Sequence, residues 1–347
     1  MRIKTKNIFK IGCLVGVIYF FSGCTTVSQD GGFFKSIDGG TNFKQSDKEE
    51  GSVLNGKNIL ALEINPSNDK EIFVGTKGAG LFKSIDEGAT WLSDINNFQN
   101  ITDIELISDT QTIYMAAKKN GRGKLFKSDN NGESWNEIYT EKDETSYLTS
   151  IAVHNNNPEI IYIANSKGGL FKSEDGGATW KTLYWAQSLI RSIELDKINP
   201  NFIYLATTKN GLLMSQNQGI EFEAIIKGGY IYNVAVHPSR EGSLYVSSKA
   251  GLQRSNNRGA NWEILNTLVK SKELVSRGLA INPNNPREIY YTSGKTFYKS
   301  NNEGETWIPV QFEIGASIEI IKINPHNTQL IYLGTNNRNS GFQITPF

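Results

Sequence analysis

Cysteine is almost missing from this chain of 347 residues: there are two, Cys13 and Cys24, both near the start. No disulfide framework can be built downstream of them. Histidine is nearly as scarce, and His154, His237 and His326 are scattered. They provide neither a zinc-ligand set nor a Cys–His nucleophile pair. Glycine is plentiful, but it lies in hairpin contexts and not between a strand and a helix, so no phosphate-cradling loop is present. Neither charge dominates, with 36 Lys and Arg against 35 Asp and Glu. No basic strip is interleaved with aromatics, which argues against nucleic acid as the partner. Arginine is absent between Arg2 and Arg122.

Long apolar runs are lacking too. The one candidate, Ile11–Phe21, is far shorter than the roughly 20 residues of a membrane span. It follows the basic residues Arg2, Lys4, Lys6 and Lys10 and precedes Ser22, Gly23 and Cys24. That order is the n-region, h-region and cleavage site of an export signal. Phe21-Ser-Gly-Cys24 resembles a bacterial lipobox, with Phe21 where leucine is usual. The resemblance implies that residues 1–23 are a lipoprotein signal peptide and that Cys24 is lipidated. Residues 24–30 then form a polar tether, and the protein sits outside the cytoplasm on a bacterial membrane. Without the four leading cations the balance becomes 32 Lys and Arg against 35 acids.

What the chain has in quantity is repetition. A phrase Ser-x-Asp/Asn-x-Gly-x-x-aromatic occurs seven times, starting at Ser36, Ser84, Ser128, Ser173, Ser215, Ser255 and Ser300. Its acidic or amide position is Asp38, Asp86, Asn130, Asp175, Asn217, Asn257 and Asn302; its aromatic is Phe43, Trp91, Trp135, Trp180, Phe222, Trp262 and Trp307. The steps between serines are 48, 44, 45, 42, 40 and 45 residues, the period of one four-stranded propeller blade. An alternating apolar run, an Asn-Pro turn, an Ile-Tyr strand and a Gly-Leu-Phe-Lys strand precede the phrase. The side-chain oxygen of Asp or Asn closes a turn by accepting backbone N–H groups, the glycine takes positive φ, and the tryptophan plugs the space beside the next sheet. Amides at four of the seven copies argue against an acid, base or calcium role for that position.

First and second strands recur near residues 60/73, 102/114, 151/162, 193/204, 234/245, 280/290 and 321/332, so the expectation is an all-β, single seven-bladed propeller spanning 31–347. Thr41–Gln45 is expected to return as the outer strand of the seventh blade. Both Gly32–Ser36 and Gly341–Thr345 read as its third strand.

The phrases resemble the Asp-box, or bacterial neuraminidase repeat. The whole repeat is similar to that of sortilin-type domains, the photosystem II assembly-factor family and xyloglucanases, over residues 31–347. The resemblance implies the fold far more than the activity. Sialidases of this fold use three arginines, a Tyr–Glu pair and a separate Asp, with an early Arg-Ile-Pro motif; that motif does not occur here, and the three-arginine carboxylate clamp is not assembled from this sequence. Xyloglucanases place one catalytic Asp on each of two propellers, and this chain has one. Hydrolysis by two carboxylates about 5–10 Å apart finds no pair outside the repeat. Catalytic residues, metal and cofactor are therefore expected to be none.

Recognition is expected from side chains that break the symmetry where the inner strands begin: Arg191, Tyr232, Arg277 and Glu319, with Trp185, Tyr184, Tyr230 and Phe312 above them. On the same face, the turns between second and third strands carry Lys77, Lys118, Lys119, Arg122, Lys167, Lys209, Lys249, Lys295 and Arg338. Such residues suit a protein segment or an anionic glycan. The expected role is a lipid-anchored binding scaffold, possible alternatives being a glycoside hydrolase or sialidase-like enzyme and a plain spacer.

Overall fold

The computed structural model describes residues 31–45, 53–94, 96–108, 110–270 and 275–337. Twenty-eight strands form seven sheets of four, each antiparallel, and no helix occurs among the described residues. Six sheets use consecutive strands: blade 1 covers 59–93, blade 2 99–140, blade 3 148–185, blade 4 190–227, blade 5 231–264 and blade 6 279–311. Blade 7 joins the two ends of the chain. Ser317–Ile323 and Ile331–Asn336 supply its inner half, Phe33–Ser36 and Lys44–Gln45 its outer half. The N-terminal segment thus contributes two strands, and Phe33–Ser36 is the third strand, paired in register from Phe33 on Gly334 to Ser36 on Ile331. The competing segment Gly341–Thr345 lies outside the described residues, as do Cys24 and Arg338.

The core is divided among the seven seams. Each hydrophobic cluster mixes two neighbouring blades: Phe33 and Tyr332 of blade 7 pack with Ile59, Ile72 and Phe82 of blade 1, and Tyr162 and Leu170 of blade 3 with Ile190, Ile203 and Leu213 of blade 4. Second strands such as Ile72–Thr76 and Ile203–Thr207 are buried along their whole length because both faces meet another blade.

The Ser-x-Asp/Asn hairpins fasten these seams. Ser84 Oγ donates to Asp86 Oδ1 (2.7 Å) and accepts from Gly88 N (2.8 Å), and Asp86 Oδ1 accepts from Thr90 N at 2.8 Å. Where the acid is an amide the bonds are unchanged: Ser128 Oγ to Asn130 Oδ1 is 2.9 Å, and Ser134 N donates to Asn130 Oδ1 at 2.9 Å. Gly88 has φ +84, and a Cβ there would lie 2.8 Å from the Phe33 ring of the preceding blade. The tryptophan closes the same seam; Trp91 meets Phe33 edge-on at 4.9 Å, and Trp180 Nε1 donates to the Ile138 carbonyl at 3.2 Å.

The last lysine of the Gly-Leu-Phe-Lys strand adds a clasp. Lys35 Nζ reaches the Glu87 carbonyl (3.1 Å), Lys83 Nζ that of Asn131 (3.1 Å), and Lys299 Nζ that of Gly39 (2.9 Å). Arg254 does the same with Glu303 at 3.2 Å. Each cation lands on the hairpin of the next blade.

Candidate functional site

The inner strands enclose a channel of about 1100 Å³ on the axis, lined by all seven blades. Their local geometry decides what faces it. Five of them slip register by one residue near their start: between Ile59 and Ala61, Leu148 and Ser150, Ile190 and Ser192, Ile231 and Asn233, and Ile318 and Ile320. Blade 2 has a wider irregularity from Gln99 to Asp103. A bulge leaves one residue without a ladder partner and re-aims its side chain. The residues so released include Arg191, Tyr232 and Glu319, the positions at which the repeat loses its symmetry.

At the mouth these side chains form two connected pairs. Arg191 Nη1 donates to the Tyr230 hydroxyl at 2.8 Å, its Nε donates to the Tyr232 carbonyl at 3.3 Å, and its guanidinium stands 5.4 Å from the Tyr230 ring centre. The rings of Tyr230 and Tyr232 are 4.9 Å apart. Arg277 Nη1 donates to Glu319 Oε2 at 2.9 Å, and Asn233 Nδ2 donates to the Arg277 carbonyl. Arg277 Nε is buried with no hydrogen-bond partner. Two oriented guanidinium groups beside a tyrosine pair can receive carboxylate and stack on a planar or apolar group.

Of the other expected residues, Lys77 lines the channel, together with Lys118. Lys119 instead lies over the Phe98 ring at 4.8 Å, and Arg122 pairs with Glu144 at 2.6 Å. Lys167, Lys209, Lys249 and Lys295 are exposed on their turns and do not line the channel. The expectation for the aromatics needs correction. Tyr184 and Trp185 end the outermost strand of blade 3, Lys181–Trp185, three strand spacings of about 4.8 Å from the inner edge. Tyr184 packs on Phe222 (4.7 Å), Trp185 is 51% exposed at the rim, and Phe312 is buried against Phe34 and Phe43. None of the three lines the channel. The histidines belong to turns: Nδ1 of His154 and of His237 accepts from Asn156 N and Ser239 N.

Sequence reasoning missed the lower channel. Three residues below the mouth stand Glu63, Glu105 and Glu194, with Asp103 two residues above Glu105 on its strand, facing Lys322 and, at the far end, Lys197. Glu63, Glu105, Glu194 and Lys322 share one inner-strand position, where blades 3, 5 and 6 have Ala152, Ala235 and Ala280. That alignment was available in the repeat. Lys322 Nζ meets Glu63 Oε2, while Asp103 accepts from Ile151 N (2.7 Å) and Ile104 N (3.0 Å). The four carboxylates are half-buried in the channel wall. Desolvation pushes the Glu105 carboxyl up to about 8, with the Glu63 and Asp103 charges adding to it. Desolvation likewise raises Glu194 to about 7, against the pull of Lys197 and Lys322, and Asp103 to about 6, against its Ile151 hydrogen bond. Burial disfavours the Lys322 charge, but Glu63 outweighs it and holds the ammonium well above its ordinary range. Among the described residues no group of His, Cys, Asp and Glu is arranged to hold a metal ion.

With this geometry in hand, comparison with known proteins gives a likeness of fold. YCF48 from Cyanidioschyzon merolae superposes with a TM-score of 0.64 at 13% identity, over 80% of this chain and 95% of that one. The structure of YCF48 bound to D1 peptide gives 0.61 at 14% identity, over 80% and 93%. The GH74 xyloglucanase from Xanthomonas campestris gives 0.68 at 16%, covering 81% of this chain and 51% of the enzyme. One curated relative, a probable oligoxyloglucan-reducing end-specific xyloglucanase of Neosartorya fischeri, is 30% identical over 132 residues, which are 35% of this chain. The match spans 16% of that enzyme's length. No protein-family profile matches the chain. Such neighbours share the propeller and divide between a peptide binder and glycoside hydrolases, so fold alone does not choose an activity.

Proposed function

We propose that the protein is an extracytoplasmic scaffold, anchored through a lipid on Cys24, whose propeller captures a segment of another protein at the Arg191–Tyr232–Arg277 mouth. The hairpins are assigned to the Asp-box class and given a purely architectural role. The observation that carries the reading is the convergence of Arg191, Tyr230, Tyr232 and Arg277 at one opening, on side chains the repeat does not require. Support comes from YCF48, a propeller of matching extent seen with a peptide bound. The test uses the lipidated protein as bait in native envelope extract. Capture is expected to weaken with salt and to fall by at least about tenfold, about 1.4 kcal/mol, in the Arg191→Ala/Arg277→Ala variant, with the fold intact by circular dichroism. Binding that ignores both changes overturns this face. A glycan captured in place of a protein would redirect the reading to carbohydrate recognition.

A second reading, glycoside hydrolysis, is favoured by the raised carboxyls gathered in the channel and by the short xyloglucanase match. It predicts turnover of aryl glycosides or xyloglucan oligosaccharides that disappears in Glu105→Gln. A blank substrate panel removes it.

A further inference from the structure

The mouth and the lower channel carry opposite charge. Arg191, Arg277, Lys77 and Lys118 stand at the opening against Glu319 and Glu144, whereas Glu63, Asp103, Glu105 and Glu194 stand below against Lys322 and Lys197. Arg191 and Glu194 are three residues apart on the same inner strand, about 10 Å. Both groups line the same concave channel, with protein on its sides, so bulk salt screens this separation less than it would on an open surface.

We propose that the lower channel is a proton-operated control of the mouth: mild acid removes negative charge beneath the arginines and strengthens capture of an acidic protein segment, and alkaline conditions weaken it. This rests on the reading of the mouth as a protein-binding site. The geometry supplies the control. The four carboxylates come from three blades and line one channel. Blades 3, 5 and 6 have Ala152, Ala235 and Ala280 at the strand position that holds Glu63, Glu105 and Glu194, so those three blades add no charge there. The groups that face the cluster are Lys322 from blade 7, Lys197 from the turn after the blade 4 inner strand, and the mouth residues Arg191, Arg277 and Glu319 above. Two cations against four carboxylates leave an excess of negative charge when all are ionised. Protonation of Glu105 and Glu194 cancels it, and protonation of Asp103 reverses it.

The raised positions of Glu105, Glu194 and Asp103 put these steps between about pH 8 and about 6. A free acidic peptide stays ionised throughout this window, since glutamate side chains titrate near about 4.3. The change therefore belongs to the propeller. The same shifts act on folding. A carboxyl whose folded value is raised contributes stability that is fully present below its unfolded value and is lost as pH climbs through the folded one.

The experiment has a ligand-free arm and a binding arm. In the first, melting temperature is followed from pH 5.5 to 8.5 for the wild type, for Glu105→Gln/Glu194→Gln, and for Lys322→Gln. The wild type is expected to lose stability as pH rises, and the double variant to flatten the curve. Lys322→Gln, which removes a cation facing the cluster, is expected to move the midpoint to higher pH. Parallel curves for wild type and double variant overturn the proposal. In the second arm, an octaglutamate peptide carrying tetramethylrhodamine, a label that does not titrate in this range, is titrated at both ends of the window. The wild type is expected to bind about tenfold or more tightly at pH 5.5, and the double variant to lose most of that difference, keeping only the Asp103 step. Equal binding by the wild type at both pH values overturns proton control and leaves the mouth reading standing. No binding at either pH overturns the mouth reading for acidic segments and the control built on it.

Discussion

The hydroxyl of Ser173 serves three bonds at once, accepting from Gly177 N at 2.8 Å and from Asp175 N at 3.3 Å and donating to Asp175 Oδ1 at 2.7 Å. The serine is buried, so no water can replace it. Ser173→Ala is expected to leave the Gly177 N–H unsatisfied and to cost about 1–3 kcal/mol in urea unfolding. Asp175→Asn should leave the urea midpoint close to that of the wild type at neutral pH, because Asn130 and Asn302 make the same backbone bonds in their own hairpins. The interchange explains why the sequence could rule on function at this position. An amide and a carboxylate share the acceptor oxygen that the turn needs and differ in the charge that chemistry needs.

At the scale of the element, the outer half of blade 7 has a weight that its length conceals. Phe33–Ser36 pairs with Ile331–Asn336 on one edge and with Lys44–Gln45 on the other, and Phe33 reaches across the seam to Trp91. Removing residues 31–45 would bare the edge of Ile331–Asn336 and empty the seam between blades 7 and 1. Bare edges pair with other chains. The truncated protein is expected to melt at least about 10 °C lower and to associate in size-exclusion chromatography. A monomer with an unchanged melting point would show that the ring closes another way. The third-strand clasp was only half legible in the sequence. The lysine recurs as Lys35, Lys83, Lys127, Lys172 and Lys299, but a one-dimensional pattern does not say which of them cross to the next blade, and Lys127 pairs with Asp129 of its own hairpin at 3.0 Å. Blade 4 has Met214 in its place, and there Arg258 from blade 5 returns over Phe202 at 4.6 Å.

For the whole molecule, two families of carboxyl groups are displaced in opposite directions. Asp38 is held at about 2, first by its backbone hydrogen bond from Asn42, and Asp175 at about 2, first by the Thr179 hydroxyl. Their contribution is present above the ordinary carboxylate range and lost as pH falls towards 2. The channel carboxyls lose theirs as pH rises from about 6 to about 8. Thermal stability should therefore peak in mild acid, near about pH 5, in a calorimetric pH series. A maximum at pH 8 would contradict the burial of Glu105 and Glu194. Fold and blade number needed nothing beyond the sequence, because each blade is built by short-range turns and alternating strands that repeat every 40 to 48 residues. The same local logic placed Arg191, Tyr232, Arg277 and Glu319 on one face. It misplaced Tyr184, Trp185 and Phe312, since distance along a strand order says nothing of radius until the sheets stand around an axis. The channel's acidic floor was decided only by ring closure. Glu63, Asp103, Glu105, Glu194 and Lys322 are separated by up to 259 residues along the chain, and their electrostatics arise only when the inner strands enclose one channel.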